Sequence, residues 1–395
     1  MNVPRSSAAR LTQGIEPAIR AGHPWVFADA LRMPAGVADG EVIELHDRDG
    51  RFLARGTAEP KSPLAFRVWT LDREERVDGA LVERRFSAAL QLRRELLRPD
   101  VTGLRICHGE NDALPGLQCD LYGDVASLRT DGALGVAWEE RFVAAVERHL
   151  APRAIVVRNP QQQEGEARVV RGRLADGPAG EVTIVEHGRK FHVDVLHGQK
   201  TGFFLDQREN RDRVAQLARG RRVINLFSYT GGFSVAAAQG GATRVTTVDL
   251  AAPAVETARR NFALNGLDPA AHEFLAVDAF DVLAELAAAP PRFDLIVLDP
   301  PSFAHSKKTV PRAQKAYEKL NELALKALPS GGWLATASCS SHVREHDFLS
   351  LLATAAARAG RRVTIASIAG AAPDHPARLG FPEGRYLKFV LLRAE

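Results

Sequence analysis

Residues 335 to 343 read ATASCSSHV, a run of small residues that ends in a cysteine between two serines. The chain has three cysteines, Cys107, Cys119 and Cys339. Their spacings suit neither a disulfide framework nor a zinc site, so no metal is expected. A cysteine thiolate is a nucleophile whose reactivity follows from nearby charge and access. Cys107 and Cys119 read as small core residues. An isolated Cys339 would read the same way, so its surroundings decide.

A second set of residues could hold a ligand. In NLFSYTGGFS, residues 225 to 234, Gly231 and Gly232 let a backbone approach a ligand closely at a helix start, and Phe227, Tyr229 and Thr230 share that turn. The run is not G-x-G-x-x-G, which argues against NAD or FAD, and no Gly-Lys-Ser/Thr follows, so it is no P-loop. Asp249, 17 residues after Gly232, stands where a carboxylate accepts hydrogen bonds from both hydroxyls of a ribose. Asp278 is placed to bond the exocyclic amine of an adenine. Each aspartate alone is more often a helix N-cap. Asp249, Asp278 and Asp299, each closing a strand, point together to a ligand site. Asp299 opens LDPPSFAHSKK, residues 298 to 308. There Pro300 and Pro301 stiffen the strand exit, Phe303 offers a face for a flat base, and Lys307 and Lys308 offer charge to phosphate.

The elements that would position these residues run from about residue 191. RRVINLF, RVTTVD, EFLAVD, FDLIVLD and GGWLATASCS read as strands. The helical patterns SVAAAQGG, PAVETARRNFALNG, AFDVLAELAAA and QKAYEKLNELALKAL separate them. Near-continuous apolar strands alternating with helices predict a parallel sheet covered on both faces. RRVTIASIAG and RYLKFVLLRA close it as an antiparallel pair. In such sheets ligands bind outside the carboxyl ends of the strands, where all the residues above fall.

The first 72 residues read as small and mostly β, with EVIELHD and RFLARGTA joined through an Asp-Gly turn and LAFRVWT beyond. Trp25 and Phe27 in AGHPWVFADAL are expected to anchor that core. From Asp78 the apolar residues Leu81, Val82, Phe86, Ala89 and Leu90 recur at helical spacing. Residues 100 to 190 read as a compact α+β unit, with the polar QQQEGEARVVRGRLADGPAG as a hairpin or loop. The expected domains are 1–74, 75–190 and 191–395. No run approaches the ~18 apolar residues of a membrane helix, and MNVPRSSAARLTQG has no apolar signal region. With three scattered cysteines this predicts a reducing, cytoplasmic setting. The net charge is +4 and the pI about 9.1, which leans toward a polyanionic partner.

NLFSYTGGFS, VDL, LDPPSF and SCS together resemble the class I S-adenosylmethionine (SAM) methyltransferases, over roughly residues 191 to 395. AGHPWVFADAL and the strands after it look like the N-terminal PUA domain of one rRNA methyltransferase family. GENDALPGLQCDLYGD, residues 109 to 124, looks like that family's middle domain. KTGFFLDQRENR, residues 200 to 211, looks like its entrance to the SAM domain. The chain thus resembles the ribosomal RNA large subunit methyltransferase I family over nearly its full length.

The resemblance implies an α/β class I SAM-methyltransferase Rossmann-like sheet at the C-terminal end, preceded by a small β-rich PUA domain and an α+β middle domain. It implies SAM as cofactor, with Gln207 and Arg208 near it, 23S rRNA as partner, and 5-methylcytosine as product. It also implies a nucleophile in SCS, which is Cys339. A thiolate that adds to C6 of cytosine makes C5 able to attack a methyl group. Asp299 then bonds the base edge, and His342 is a candidate to lower the thiol pKa when close and protonated. Many RNA cytosine-C5 enzymes carry a second cysteine after the fourth strand. Here that position reads PPSF, as it does in this family, so product release differs. Two rivals stand beside this reading: a guanine (N2 or N7) rRNA methyltransferase that needs no cysteine, and a SAM-binding RNA assembly factor. The residues before 191 could serve a homodimer instead of RNA.

Overall fold

Alternation in LAFRVWT and its neighbours builds a six-stranded sheet, because every second residue faces one core. Its strands lie in the order Trp25–Phe27, Leu64–Thr70, Phe52–Ala58, Val42–His46, Ala8–Leu11, Leu31–Arg32. Ala9, Val26, Ile43, Leu45, Leu53 and Phe66 meet in the core. The expectation for Trp25 and Phe27 is corrected here. Val26 between them is the core residue, and period-two alternation turns its neighbours the other way. Phe27 is 47% exposed. Trp25 is half-buried, with its ring 4.6 Å from Phe381 and its indole N–H donating to Glu110 Oε1 at 3.0 Å.

This computed structural model describes residues 8–160, 167–174, 180–303 and 307–395. They fall into two units. One takes in the chain to Ile184 with Val193–Leu205 and Pro373–Gly384; the other comprises Val185–His192, Asp206–Ala372 and Arg385–Glu395.

In the first unit, helix Gly79–Leu96 starts where the Asp78 carboxylate accepts the Leu81 N–H at 3.0 Å. It buries Leu81, Val82, Phe86, Ala89 and Leu90, the spacing read from sequence. With helix Gly132–Leu150 it packs on a sheet ordered Ala167–Gly172, Ala154–Arg158, Val125–Thr130, Leu117–Tyr122, Gly103–His108. Cys107 and Cys119 are cross-strand partners, reduced and fully buried. Burial pushes both thiols up, so they stay neutral. Asp112 and Asp120 of the GENDALPGLQCDLYGD run are the counter-ions of the buried Arg93 and Arg105, each pair doubly hydrogen-bonded.

Of the two readings of the polar run, a hairpin or a loop, its described part bears out the hairpin. Ala167–Gly172 pairs antiparallel with Ala154–Arg158 at the sheet edge. Its Arg168 and Arg171 pair with Glu139 and Glu140 of helix Gly132–Leu150. Residues 161–166 and 175–179 of that run lie outside the described residues.

Among the described residues, the main sheet of the second unit has seven strands: β1 (Arg222–Leu226), β2 (Arg244–Asp249), β3 (Glu273–Ala276), β4 (Leu295–Leu298), β5 (Trp333–Ser338), β6 (Val363–Ala369) and β7 (Lys388–Ala394). Their order is β3-β2-β1-β4-β5-β7-β6. The first five are parallel, and β7 runs antiparallel between β5 and β6. Six helices accompany them: α1 (Arg208–Ala218), α2 (Gly232–Gln239), α3 (Ala252–Leu264), α4 (Ala279–Ala287), α5 (Val310–Ala327) and α6 (Glu345–Arg358). Leu226 pairs with both Val248 and Leu298, and Leu298 with Thr336. The carboxyl ends of β2, β1, β4 and β5 therefore finish in one line. Strand order reverses between β1 and β4, which makes their ends the place for a ligand.

Among the described residues, no helix is long and apolar enough to cross a membrane. No group of three or more His, Cys, Asp or Glu among them could hold a metal ion.

Candidate active site

The turn after β1 is wound unusually. Phe227, Tyr229 and Gly231 have φ of 58°, 48° and 79°, and two of the three are not glycine. Such backbone costs of order 1 kcal/mol or more per residue and persists only where its surroundings enforce it. They do so here. The Asp249 carboxylate accepts the Tyr229 N–H at 2.7 Å and the Ala251 N–H at 3.0 Å. The Asn261 side chain of α3 donates to the Thr230 carbonyl at 2.9 Å. Inside the turn, the buried Asn225 donates to Ser234 Oγ at 3.0 Å. A Cβ on Gly231 would come within 2.8 Å of the Ala258 Cβ on α3, so only glycine brings α2 and α3 this close. The Thr230 hydroxyl is buried, with no partner among the described residues.

Asp249 is half-buried and ends β2. Asp278 is exposed and caps α4, accepting the Phe280 N–H at 2.7 Å. Between these carboxylates the surface is apolar. Leu250, directly after Asp249, is 74% exposed, and Val277, directly before Asp278, is 40% exposed. Two acidic groups flanking open apolar side chains suit a nucleoside, whose ribose needs acceptors and whose base needs apolar faces. Gln207 and Arg208 are buried at the start of α1. The Gln207 side-chain oxygen accepts from Asn210 at 2.7 Å, and Arg208 Nε donates to Glu209 at 3.2 Å. The next turn of α1 is anchored by a buried pair, Arg211 to Glu186 at 2.5 and 2.6 Å.

The ends of β4 and β5 lie side by side. Asp299, one residue beyond β4, is half-buried, and Pro300 after it is buried. Cys339, one residue beyond β5, is half-buried, while Ser338 and Ser340 are fully covered. The Ser340 N–H reaches Ser338 Oγ at 3.4 Å. Phe303 is half-buried, with its ring 5.0 Å from Tyr317 and 6.4 Å from Phe280. It belongs to an aromatic row that runs Phe227, Phe280, Phe303, Tyr317, Phe348 behind the strand ends. Lys307 opens a short 3-10 turn, Lys307–Thr309. Its side chain and residues 304–306 lie outside the described residues.

Two side chains here were not singled out from the sequence. Tyr317 on α5 is fully buried, and burial pushes its hydroxyl well up. The hydrogen bond with Ser338 opposes this, and the smaller effects of the Cys339 and Asp299 charges add to the burial. Its neutral phenol therefore sits beside both strand ends. QKAYEKLNELALKAL reads as an ordinary amphipathic helix, so nothing in spacing separates Tyr317 from its core neighbours. Lys388 is the other. It lies opposite Ser338 in the β5–β7 ladder, is 2% exposed, and donates from Nζ to the carbonyls of Ser340 at 2.5 Å and Tyr386 at 2.7 Å. A signal existed: the chain has nine lysines among its 52 cations, and this one interrupts the apolar run of RYLKFVLLRA. The side chain of His342, by contrast, is on an exposed residue of the loop.

A five-stranded parallel sheet extended by an inserted antiparallel strand, with a strained glycine turn after β1 and a carboxylate closing β2, defines a class I SAM-dependent methyltransferase. The residues present fit that cofactor: Asp249 would accept from the ribose, Leu250, Val277 and Asp278 would take the adenine, and the turn Phe227–Gly231 would meet the chain between. The sequence model of the S-adenosylmethionine-dependent methyltransferase family matches residues 153–374, and that of a PUA-like domain matches residues 9–71. The chain is 39% identical over 393 residues to a ribosomal RNA large subunit methyltransferase I of Aeromonas salmonicida, covering 97% of this chain and 98% of that one. It is 38% identical over 410 residues to a ribosomal RNA large subunit methyltransferase of Deinococcus radiodurans, covering all of both chains. A crystal structure of a methyltransferase complexed with SAH shares the fold over 98% of this chain and all of that one, with a TM-score of 0.87 at 23% identity. The chain belongs to the ribosomal RNA large subunit methyltransferase I family of SAM-dependent methyltransferases.

Proposed function

We propose that the protein methylates C5 of a cytosine in 23S ribosomal RNA, through a covalent bond between Cys339 and C6 of the base. The observation that carries this reading is the position of Cys339. It is half-exposed, it stands one residue past β5 at the same edge of the sheet as the cofactor turn and Asp249, and its charge and that of Asp299 both act on the buried Tyr317. Cys107 and Cys119 are sealed in another core. An isolated packing role would not call for a thiol at the rim between two covered serines. The curated relatives named above act on large-subunit rRNA by name, and the PUA-like match at residues 9–71 supports an RNA partner. The division into 1–74, 75–190 and 191–395 goes with this reading, the first part holding RNA.

The target base is extruded or already single-stranded, since C5 and C6 are out of reach inside a helix. Phe303 and Pro300 line its face, Lys307 meets a phosphate, and Asp299 bonds its polar edge. The Cys339 thiolate adds to C6, which places electron density on C5. SAM supplies the methyl group that C5 takes up. A base then removes the proton from C5, the C6–S bond breaks, and the thiolate returns to Cys339. Gln207, Arg208, Phe227, Tyr229, Thr230, Gly231, Asp249 and Asp278 hold and orient the cofactor.

The test is nucleoside mass spectrometry of unmodified 23S rRNA incubated with the pure protein and SAM. A gain of 5-methylcytosine supports the reading. A gain of methylguanosine overturns it and makes Cys339 a packing residue.

A further inference from the structure

We propose that Lys388 is the group that activates Cys339: its side-chain nitrogen takes the thiol proton and then holds the thiolate as an ion pair. This rests on the reading of Cys339 as nucleophile and extends it.

The argument begins with the hydrogen-bond count. Lys388 is buried on β7, and its Nζ donates to two carbonyls, Ser340 and Tyr386. A neutral amine has two N–H donors and one lone pair. Both donors are used, so the lone pair is left to accept a proton. An ammonium has three donors, so one N–H is left for an anion. Either form is complete only with a partner that exchanges one proton with it. Lys388 lies opposite Ser338 and reaches the carbonyl of Ser340. It therefore spans the residues on both sides of Cys339.

The charges around Lys388 support the same partner. Those that act on it are Cys339 at the end of β5 and Glu345 and Asp347 on α6, with Cys339 the largest of the three. Both carboxylates have other partners. Glu345 meets Arg385 at 3.5 Å, and Asp347 accepts the Arg344 N–H at 3.2 Å and faces His346 at 2.9 Å. From the other side, Tyr317 on α5 feels the charges of both Cys339 and Asp299, while neither Tyr317 nor Asp299 is among the groups that act on Lys388. Burial lowers the Lys388 ammonium to about 8, against the pull of those three charges. That brings it level with an ordinary thiol at ~8.5, so the proton passes between the two at little cost. The transfer breaks the Sγ–H bond and forms an Nζ–H bond. When thiolate leaves C6 at the end of the cycle, the same ammonium receives it. Lysine suits this task where arginine does not, because guanidinium does not release its proton in proteins.

The full-length protein can be alkylated with iodoacetamide across pH 5.5 to 10, with modification at Cys339 read by peptide mass spectrometry. Cys107 and Cys119 are fully buried and serve as silent controls. The expected midpoint for Cys339 lies at least one unit below the ordinary ~8.5. In K388M it rises by about one unit or more, so alkylation at pH 7 slows roughly tenfold. K388R restores a low midpoint, because it keeps the positive charge, but does not restore turnover. A wild-type midpoint closer than one unit to ~8.5 overturns the proposal; this measurement needs no variant and stands if K388M does not fold. A K388M profile that superimposes on wild type, with SAM binding intact by calorimetry, also overturns it. The nucleophile role is read separately, from turnover of C339A. Turnover retained in C339A with a low wild-type alkylation midpoint removes the nucleophile and leaves the Lys388–Cys339 pair.

Discussion

Cys339 and Asp249 are where single side chains matter most. Under the proposed mechanism, replacing Cys339 with alanine removes the sulfur that would bond C6 and leaves the hydrogen bonds of the turn after β1 in place. C339A is expected to lose turnover by at least ~10³-fold, since the covalent step has no substitute, while SAM binding by calorimetry stays within a factor of about three. Substantial residual methylation would sink the nucleophile role. The Asp249 carboxylate holds the Tyr229 and Ala251 N–H groups, and in the proposed site it would also accept from the ribose. Hydrogen bonds to a charged group contribute about 1.5–3 kcal/mol each. D249A is therefore expected to weaken SAM binding at least ~10-fold; unchanged affinity would mean the ribose is held elsewhere. Both residues were legible in the sequence because their chemistry is tied to strand ends, and strand ends follow from alternation.

At the scale of elements, the cofactor turn and the start of α1 carry the next two expectations. Gly231 has φ of 79° and a neighbouring helix where its Cβ would be. G231A must pay for a left-handed backbone and for displacing Ala258, together about 1–4 kcal/mol. Thermal unfolding should show a lower midpoint, and SAM titration a weaker site; a variant as stable as wild type would mean that α3 yields freely. Glu186 and Arg211 form a buried, doubly hydrogen-bonded pair between the strand Glu181–Glu186 and α1. E186A strands a buried guanidinium, which typically costs about 3–5 kcal/mol. Urea unfolding of E186A reads this directly, and a loss under ~1 kcal/mol would mean that Arg211 finds water. The glycine of the turn was readable as a close approach. The pairing of Glu186 with Arg211 was not, because it joins residues 25 apart through a hairpin whose register the sequence does not encode.

For the whole molecule the governing quantity is charge. A net charge of +4 and a pI of about 9.1 come from a chain rich in arginine, a side chain suited to phosphate. Binding to a polyanion releases counter-ions and weakens steeply with salt. Filter binding of a 23S rRNA fragment is expected to weaken more than ~10-fold between 50 and 200 mM salt, while SAM affinity changes little over the same range. A flat response of both would remove RNA as the partner that uses this charge.

Periodicity and strand-end residues were enough to derive a parallel α/β sheet, its ligand edge, and the line Asp249, Asp278, Asp299, Cys339. These are local properties: apolar spacing marks the elements, and a loop residue must fall where its strand stops. The outward face of Phe27 escaped, because facing depends on neighbours distant in the chain. So did the company of Cys339. Lys388 is 49 residues away and Tyr317 is 22, and both reach it by strand order and helix packing. The insertion of β7 between β5 and β6 brings a buried amine to the carbonyl of Ser340, the residue after that cysteine. No spacing rule contains that step, because the pairing of β7 is chosen by the packing of the sheet as a whole.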